Sequence, residues 1–204
     1  FVYAIEGFVG ASPELLVRRV GTIVESRPVA GTSLADGEES LRALAASVKD
    51  TREHRYVVDA IVAALGERCE ELTVEAIPEV AVFGPVAHLA TPIRGRLCEP
   101  APNALELARL LHPTPAVGGT PRRPALDAIR ALEGFDRGRY AGPVGWVDAR
   151  GDGEWAIALR GAEIEGTRAR LVAGAGIVAG SDPDAEWAET QAKLEPMLRA
   201  LIRP

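Results

Sequence analysis

The sequence has no apolar run of membrane-spanning length and no basic segment followed by an apolar signal region at its start. Neither a spanning helix nor a secretory leader is therefore expected, and the chain reads as cytoplasmic. It has only two cysteines, Cys69 and Cys98, and neither has a second cysteine or a histidine at zinc-binding spacing. Reduced thiols are expected rather than a disulfide or a zinc site. The net charge is −6 and the arginines are scattered rather than striped, which argues against a nucleic-acid partner. A glycine-rich run at 173–176 lacks the lysine and following Ser or Thr of a P-loop, so a nucleoside triphosphate site is not expected. No internal repeat, low-complexity stretch or long linker divides the chain.

What is present is ordinary for a globular protein. A hydrophobic fraction of 47% with 25% charged residues over 204 residues is enough to bury a core, most simply as one domain or a large part of one. The chain begins at Phe1 within what reads as a strand, Phe1 to Ile5, and so reads as part of a longer protein. Strands are expected at Leu15–Val20 and Thr22–Ser26 about Gly21, forming a hairpin. Helices follow at Glu38–Val48 and Thr51–Glu71, the second with Val57, Val58, Ile61, Val62 and Leu65 as one apolar stripe. Val80–Phe83 and Val86–Leu97 read as extended, with Pro92 marking an edge or a bulge. Asn103 with Glu106 is a capping box for a helix to Leu111, which His112-Pro113-Thr114-Pro115 stops. Tyr140–Asp148, Glu154–Ile164 and Arg168–Gly174 read as a three-stranded antiparallel meander, covered by a final helix. Helices grouped beside antiparallel strands predict an α+β layered fold rather than a doubly wound sheet.

Two acidic helix faces stand out. Glu186, Glu189 and Lys193 are spaced by three and four, and Asp50 and Glu53 repeat the acidic pair on another helix. Four carboxylates from two helices would make a cage of hard oxygen ligands suited to magnesium and an anionic substrate. Taken alone, the same residues also read as solvated helix faces, with a Glu189–Lys193 ion pair and with Asp50 favouring a helix N-terminus. Glu14, between a turn and an apolar strand, is either a turn residue or a carboxyl with a raised pKa able to act as a general acid. Alternation puts Arg160 on one strand face with Glu154, Ala156 and Ala158, where small neighbours leave room to grip a carboxylate. His88 and His112, taken alone, read as structural.

In chain order, several blocks together resemble the C-terminal part of a chorismate-utilising enzyme, the family of isochorismate, anthranilate, aminodeoxychorismate and salicylate synthases. They are Gly10-Ala11-Ser12-Pro13-Glu14, Pro28-Val29-Ala30-Gly31-Thr32, Lys49-Asp50 with Glu53-His54, and Tyr140-Ala141-Gly142-Pro143-Val144-Gly145. Ala158-Leu159-Arg160, Ala173 to Val178, and Glu186 with Glu189-Thr190 and Lys193 complete the set. The stretch Leu111 to Gly119 is similar to isochorismate synthases rather than to the anthranilate type. Salicylate synthase is the nearest rival, and a non-catalytic module that binds a carboxylated ligand is the alternative from another class.

The resemblance implies an anthranilate synthase component I-like layered sandwich, of which residues 1–204 would be the C-terminal part of a single chorismate-binding domain. It implies Mg²⁺ held by Glu53 and Glu189, with Asp50 and Glu186 in support, and chorismate as the small-molecule substrate. Arg160 and Tyr140 would take the carboxylate of the enolpyruvyl arm, with the backbone near Gly174 closing round it. Thr32 and Lys193 would line the ring-carboxylate end, Ala116 would shape the wall, and His88 would stand near the ring. Glu14 would be the general acid. The lysine that activates water in this family lies in an N-terminal half absent from this chain, so the chain alone is expected to be inactive and the missing half to be its partner. A monomer is the expected state, and the pathway served, menaquinone or siderophore, is left open.

Overall fold

Two-residue turns with glycine at a left-handed position organise much of the chain. The computed structural model describes residues 1–202. The first hairpin pairs β1 (Val2–Ile5) with β2 (Phe8–Ala11) through Glu6-Gly7, both at positive φ. Next come β3 (Leu15–Val20), β4 (Ile23–Arg27) and β5 (Val29–Leu34), then α1 (Glu38–Ala46) and α2 (Val48–Gly66). The middle of the chain holds β6 (Cys69–Val74), β7 (Glu79–Phe83), β8 (Val86–Ala90), β9 (Ile93–Leu97), α3 (Ala104–Leu111), α4 (Pro115–Gly118) and α5 (Arg122–Leu132). The last part holds β10 (Pro143–Val147), β11 (Gly153–Ile157), β12 (Gly161–Glu165), β13 (Arg168–Leu171) and α6 (Pro183–Ile202).

The strands form three sheets. A six-stranded sheet has the order β10-β11-β3-β4-β9-β6, a four-stranded sheet β1-β2-β12-β13, and a three-stranded sheet β5-β8-β7. Every pairing among the described residues is antiparallel, so the α+β layered class holds. The main core lies between the six-stranded sheet and the helices α2 and α3. Leu16, Val17, Val24, Ile93 and Leu97 from the sheet meet Val57, Ile61 and Leu65 of α2 and Leu107 and Leu111 of α3. Both α2 and α3 start on a side-chain cap: Ser47 Oγ accepts from Asp50 N at 3.2 Å, and Asn103 and Glu106 form the expected capping box.

Several expectations are corrected. The run Glu154–Ile164 is not one strand. It breaks at Ala158-Leu159-Arg160, and its two parts join different sheets, β11 the six-stranded and β12 the four-stranded. Arg160 sits at φ +52 and therefore does not share a strand face with Glu154 and Ala156. The break is held by Tyr3, whose hydroxyl donates to Leu159 O at 2.9 Å, and by Ala11 N, which donates to Arg160 O at 3.3 Å. Gly10 and Gly161 make room for that tyrosine, since a Cβ on either would lie within 2.3 Å of its oxygen.

The run 86–97 likewise divides at Thr91-Pro92, where the chain passes from the three-stranded to the six-stranded sheet, in keeping with the proline. The helix expected over Thr51–Glu71 ends at Gly66, because Cys69–Val74 pairs with β9 instead. Helix α1 stops at Ala46, since Ser47 turns extended to cap α2. The last expected strand ends at Leu171, and 172–178 run irregularly towards α6. The short elements β2, β5 and α4 and the eleven-residue helix α5 have no counterpart among the expectations.

Candidate functional site

The breaks in regular structure converge on one cavity of about 490 Å³. Its polar lining includes side chains from six separate places, Glu14 before β3, Thr32 on β5, Glu53 on α2, His88 on β8, Arg160 at the sheet switch and Lys193 on α6, with Glu133 and Arg137 beyond α5. Tyr140, Ala116 and Gly174 also line it. The fold thus brings together nine of the residues singled out in the sequence, while Asp50, Glu186 and Glu189 stand outside the lining.

Glu14 is 2% exposed, buried where the chain enters β3. Its backbone is fixed at both ends, with N–H donating to Ser12 Oγ at 3.2 Å and C=O accepting from Ile157 N at 3.2 Å. Burial pushes the carboxyl up to about 8, against a smaller opposing pull from Lys193. Glu14 is therefore a protonated acid at neutral pH, facing an ammonium group. Glu14 is thus a buried carboxyl in the segment before β3.

Glu53 is the second perturbed carboxyl. Burial, then the charge of Glu189, raise it to about 7, while the Gly31 backbone and Lys193 act the other way. It has no ion-pair partner among the described residues. Lys193 joins the groups around it: Nζ contacts the Glu189 carboxylate and donates to Gly174 O at 3.0 Å. Glu186, itself buried, accepts from Lys49 Nζ at 2.6 Å. Asp50 lies half-buried in the first turn of α2, against Gly31. The Glu189–Lys193 ion pair of the solvated-face reading is thus present, but Glu186 is buried.

Among the described residues no three His, Cys, Asp or Glu side chains converge as a ready-made metal cluster. The donor chemistry nevertheless fits a hard divalent cation. Glu53 and Glu189 are close enough to repel, and Glu53 lacks a neutralising partner, a conflict that an oxygen-seeking ion relieves.

The opposite charge is supplied by Arg160, whose Nη2 donates to His88 Nε2 at 2.8 Å. His88 is 4% exposed, and burial, with Arg160 and Lys193, lowers it to about 3, so the ring is neutral. Tyr140 is held beside Arg160 by the backbone pairs Ala141 N to Ala158 O at 2.9 Å and Ala158 N to Gly142 O at 2.7 Å. Its hydroxyl faces Gly174, where a Cβ would lie 3.1 Å away. Burial raises this phenol above its ordinary pKa.

Two contributors escaped the sequence reading. The apolar wall comes from α5, through Ala125, Ala128, Ile129 and Leu132, whose spacing of three, one and three is a helical signal that was there to be read. Arg137 pairs with Glu133, donates to Val117 O at 2.7 Å, and thereby ties α5 to the Ala116 turn.

The family model described as chorismate binding enzyme matches residues 1–202. The chain is 50% identical over 197 residues to "Isochorismate synthase DhbC" of Bacillus subtilis, covering 94% of this chain and 50% of that protein. It superposes with TM-score 0.92 and 47% identity on the putative 2,3-dihydroxybenzoate-specific isochorismate synthase DhbC from Bacillus anthracis, covering 95% of this chain and 53% of that one. It superposes with TM-score 0.82 and 34% identity on anthranilate synthase component I from Streptococcus pneumoniae, over 98% of this chain and 46% of the other. The chain thus spans about half the length of the relatives it matches. Among the described residues no helix is long and apolar enough to cross a membrane.

Proposed function

The chain belongs to the chorismate-binding enzyme family, and on that premise we propose that the whole protein is an isochorismate synthase, isomerising chorismate by moving its ring hydroxyl. The observation that carries the proposal is Glu14, a buried carboxyl protonated at neutral pH on the wall of a cavity that has carboxylates and a guanidinium on its other sides. A product formed by exchanging one hydroxyl for another needs such a proton donor.

In this reading Arg160 and Tyr140 hold the carboxylate of the enolpyruvyl arm, and the Gly174 backbone closes round it. Thr32 and Lys193 face the ring-carboxylate end, Ala116 shapes the wall, and His88 stands behind Arg160. Magnesium, held by Glu53 and Glu189 with Asp50 and Glu186 in support, would supply a fixed positive charge for the ring carboxylate. Glu14 gives its proton to the departing hydroxyl, which leaves as water. A second water adds at the other end of the diene as the double bonds shift, and its proton passes to a base outside this chain. The fate of the product, in a menaquinone or a siderophore route, does not alter this chemistry.

The test is a magnesium-dependent chorismate assay with chromatographic product identification, on the full-length protein and on this chain alone. Isochorismate from the full-length protein only is the expected result. Salicylate with pyruvate would move the protein to the lyase branch, and no product from either would favour a ligand-binding module.

A metal-specific prediction follows from Gly176, where a Cβ would lie 2.3 Å from Glu53 Oε1. Gly176→Ala must push that carboxylate aside. We expect magnesium affinity to fall roughly tenfold, the loss typical of disturbing a ligand's support, with thermal stability little changed. Calorimetric Mg²⁺ titration of the full-length protein checks it, and unchanged affinity would remove Glu53 from the ligand set.

A further inference from the structure

The two charged sides of the cavity are joined through a single residue of β5. Arginine has only donors, so the 2.8 Å contact of Arg160 Nη2 with His88 Nε2 requires that nitrogen to present a lone pair. The ring proton then lies on Nδ1, which faces Gly31 O at 3.3 Å and Thr32 Oγ1 at 3.1 Å. Gly31 in turn lies against the turn of α2 that carries Asp50 and Glu53, and its backbone pulls the Glu53 carboxyl down. It is held at φ +70 with its Cα against α2, where a Cβ would lie 2.8 Å from Asp50 Cβ, so no side chain fits between. One residue thus packs on the acidic helix by its Cα and reaches the guanidinium, through imidazole, by its C=O. The ring itself is clamped: β8 is buried along its length, and Phe83 lies against His88 with ring centres 6.0 Å apart.

We propose that Gly31 and His88 form a rigid spacer that sets the separation of Glu53 and Arg160, so that His88 is a positioning residue acting through Arg160 and not a carrier of protons. This rests on the reading that Arg160 and the Glu53 side hold the two carboxylates of one dianionic ligand. Such a ligand is recognised by the distance between its charges. A spacer with a fixed tautomer converts that distance into specificity, because a guanidinium on a flexible stem would otherwise follow any anion. Burial and the neighbouring cations keep the imidazole neutral, in keeping with a strut.

Two substitutions separate a strut from a proton carrier. His88→Gln reaches far enough for its amide oxygen to accept from Arg160, whereas His88→Asn stops near the Nδ1 position and leaves Arg160 unmet. In the full-length protein, His88→Gln is expected to keep kcat and KM for chorismate within about threefold of the unsubstituted protein. His88→Asn is expected to raise KM about ten- to hundredfold, the value of a lost hydrogen bond to a charged group. Neither should shift the pH–rate profile. An equal collapse of kcat in both variants, or a moved limb of that profile, would overturn the proposal in favour of proton transfer.

Nitrogen-15 spectra of the unsubstituted protein give a check independent of whether the variants fold. His88 should be Nδ1-protonated and neutral from pH 5 to 9, and an Nε2-protonated or charged ring would overturn the spacer. Calorimetric titration with chorismate separates the two levels of the argument. No binding by the unsubstituted protein overturns the parent reading, while equal binding by all three proteins overturns the role of His88 alone.

Discussion

Glu14→Gln is expected to lower chorismate turnover by roughly 10²–10⁴-fold, the usual worth of a positioned general acid, while making the protein harder to unfold above neutral pH. Both effects have one cause. The folded carboxyl titrates at about 8 against an ordinary value of 4.5, so between these values the folded state keeps a proton that the unfolded state has released. Stability linked to Glu14 is thus fully present below about pH 4.5 and is lost as pH rises through about 8. The loss above pH 8 is on the order of 5 kcal/mol. Glutamine has nearly the same shape and no proton to lose. The unfolding free energy of the variant, relative to the unsubstituted protein, should therefore climb between pH 4.5 and pH 8.5. At the acid end it starts below parity by about 1–3 kcal/mol if the buried amide finds no partner. Glu53, raised to about 7, acts with the same sign but is common to both proteins and cancels in the difference. Denaturant unfolding at several pH values, with chorismate kinetics beside it, is the measurement. A pH-independent difference would mean that Glu14 is ionised in the fold, and a proton donor at that position would be lost with it.

The same residue shows what a sequence carries and what it does not. Ser12-Pro13-Glu14 is a turn beside an apolar strand, and the order of blocks from Gly10 to Lys193 identified the family and the layered class. Neither observation said that Glu14 is buried, since that depends on β11 packing beside β3. Arg160 is the sharper case. Period-two alternation holds from Glu154 to Arg160 and slips by one residue at Gly161, since Trp155, Ile157 and Leu159 are followed by Ala162 and Ile164, but nothing local announces that the non-glycine Arg160 will take φ +52. The break comes from the tertiary partners Tyr3 and Ala11, which satisfy the carbonyls of Leu159 and Arg160. Cys69 to Glu71 reads locally as the end of a helix because nothing in its pattern contradicts one, and pairing of Cys69–Val74 with β9 overrides it. Short strands such as Phe8–Ala11 and Val29–Leu34 carry Gly10 and Gly31, which weaken the strand signal while making the close approaches that build the site.

Arg160→Met should reduce kcat/KM for chorismate by about 10²–10³-fold, the cost of leaving one buried charge without its partner, and most of the loss should fall on KM. An interaction made equally in ground and transition states affects binding more than turnover, and the enolpyruvyl carboxylate does not change charge as the ring hydroxyl moves. Stability should not fall in step. Burial lowers the pKa of Arg160, which means the fold holds this guanidinium at an electrostatic disadvantage when no anionic ligand is present. Methionine carries no charge and meets the same backbone strain at φ +52 that arginine does. The variant should thus melt at or slightly above the unsubstituted protein. Arg160→Lys should not rescue function, because an ammonium cannot donate to His88 Nε2 and fork onto a carboxylate at once. Steady-state kinetics and thermal melts of the full-length protein and both variants test these points. A loss of less than about fivefold in Arg160→Met would place the arm carboxylate elsewhere in the cavity. A steep fall in melting temperature would make the residue structural, and a lysine variant near full activity would show that charge alone, without the fork, suffices.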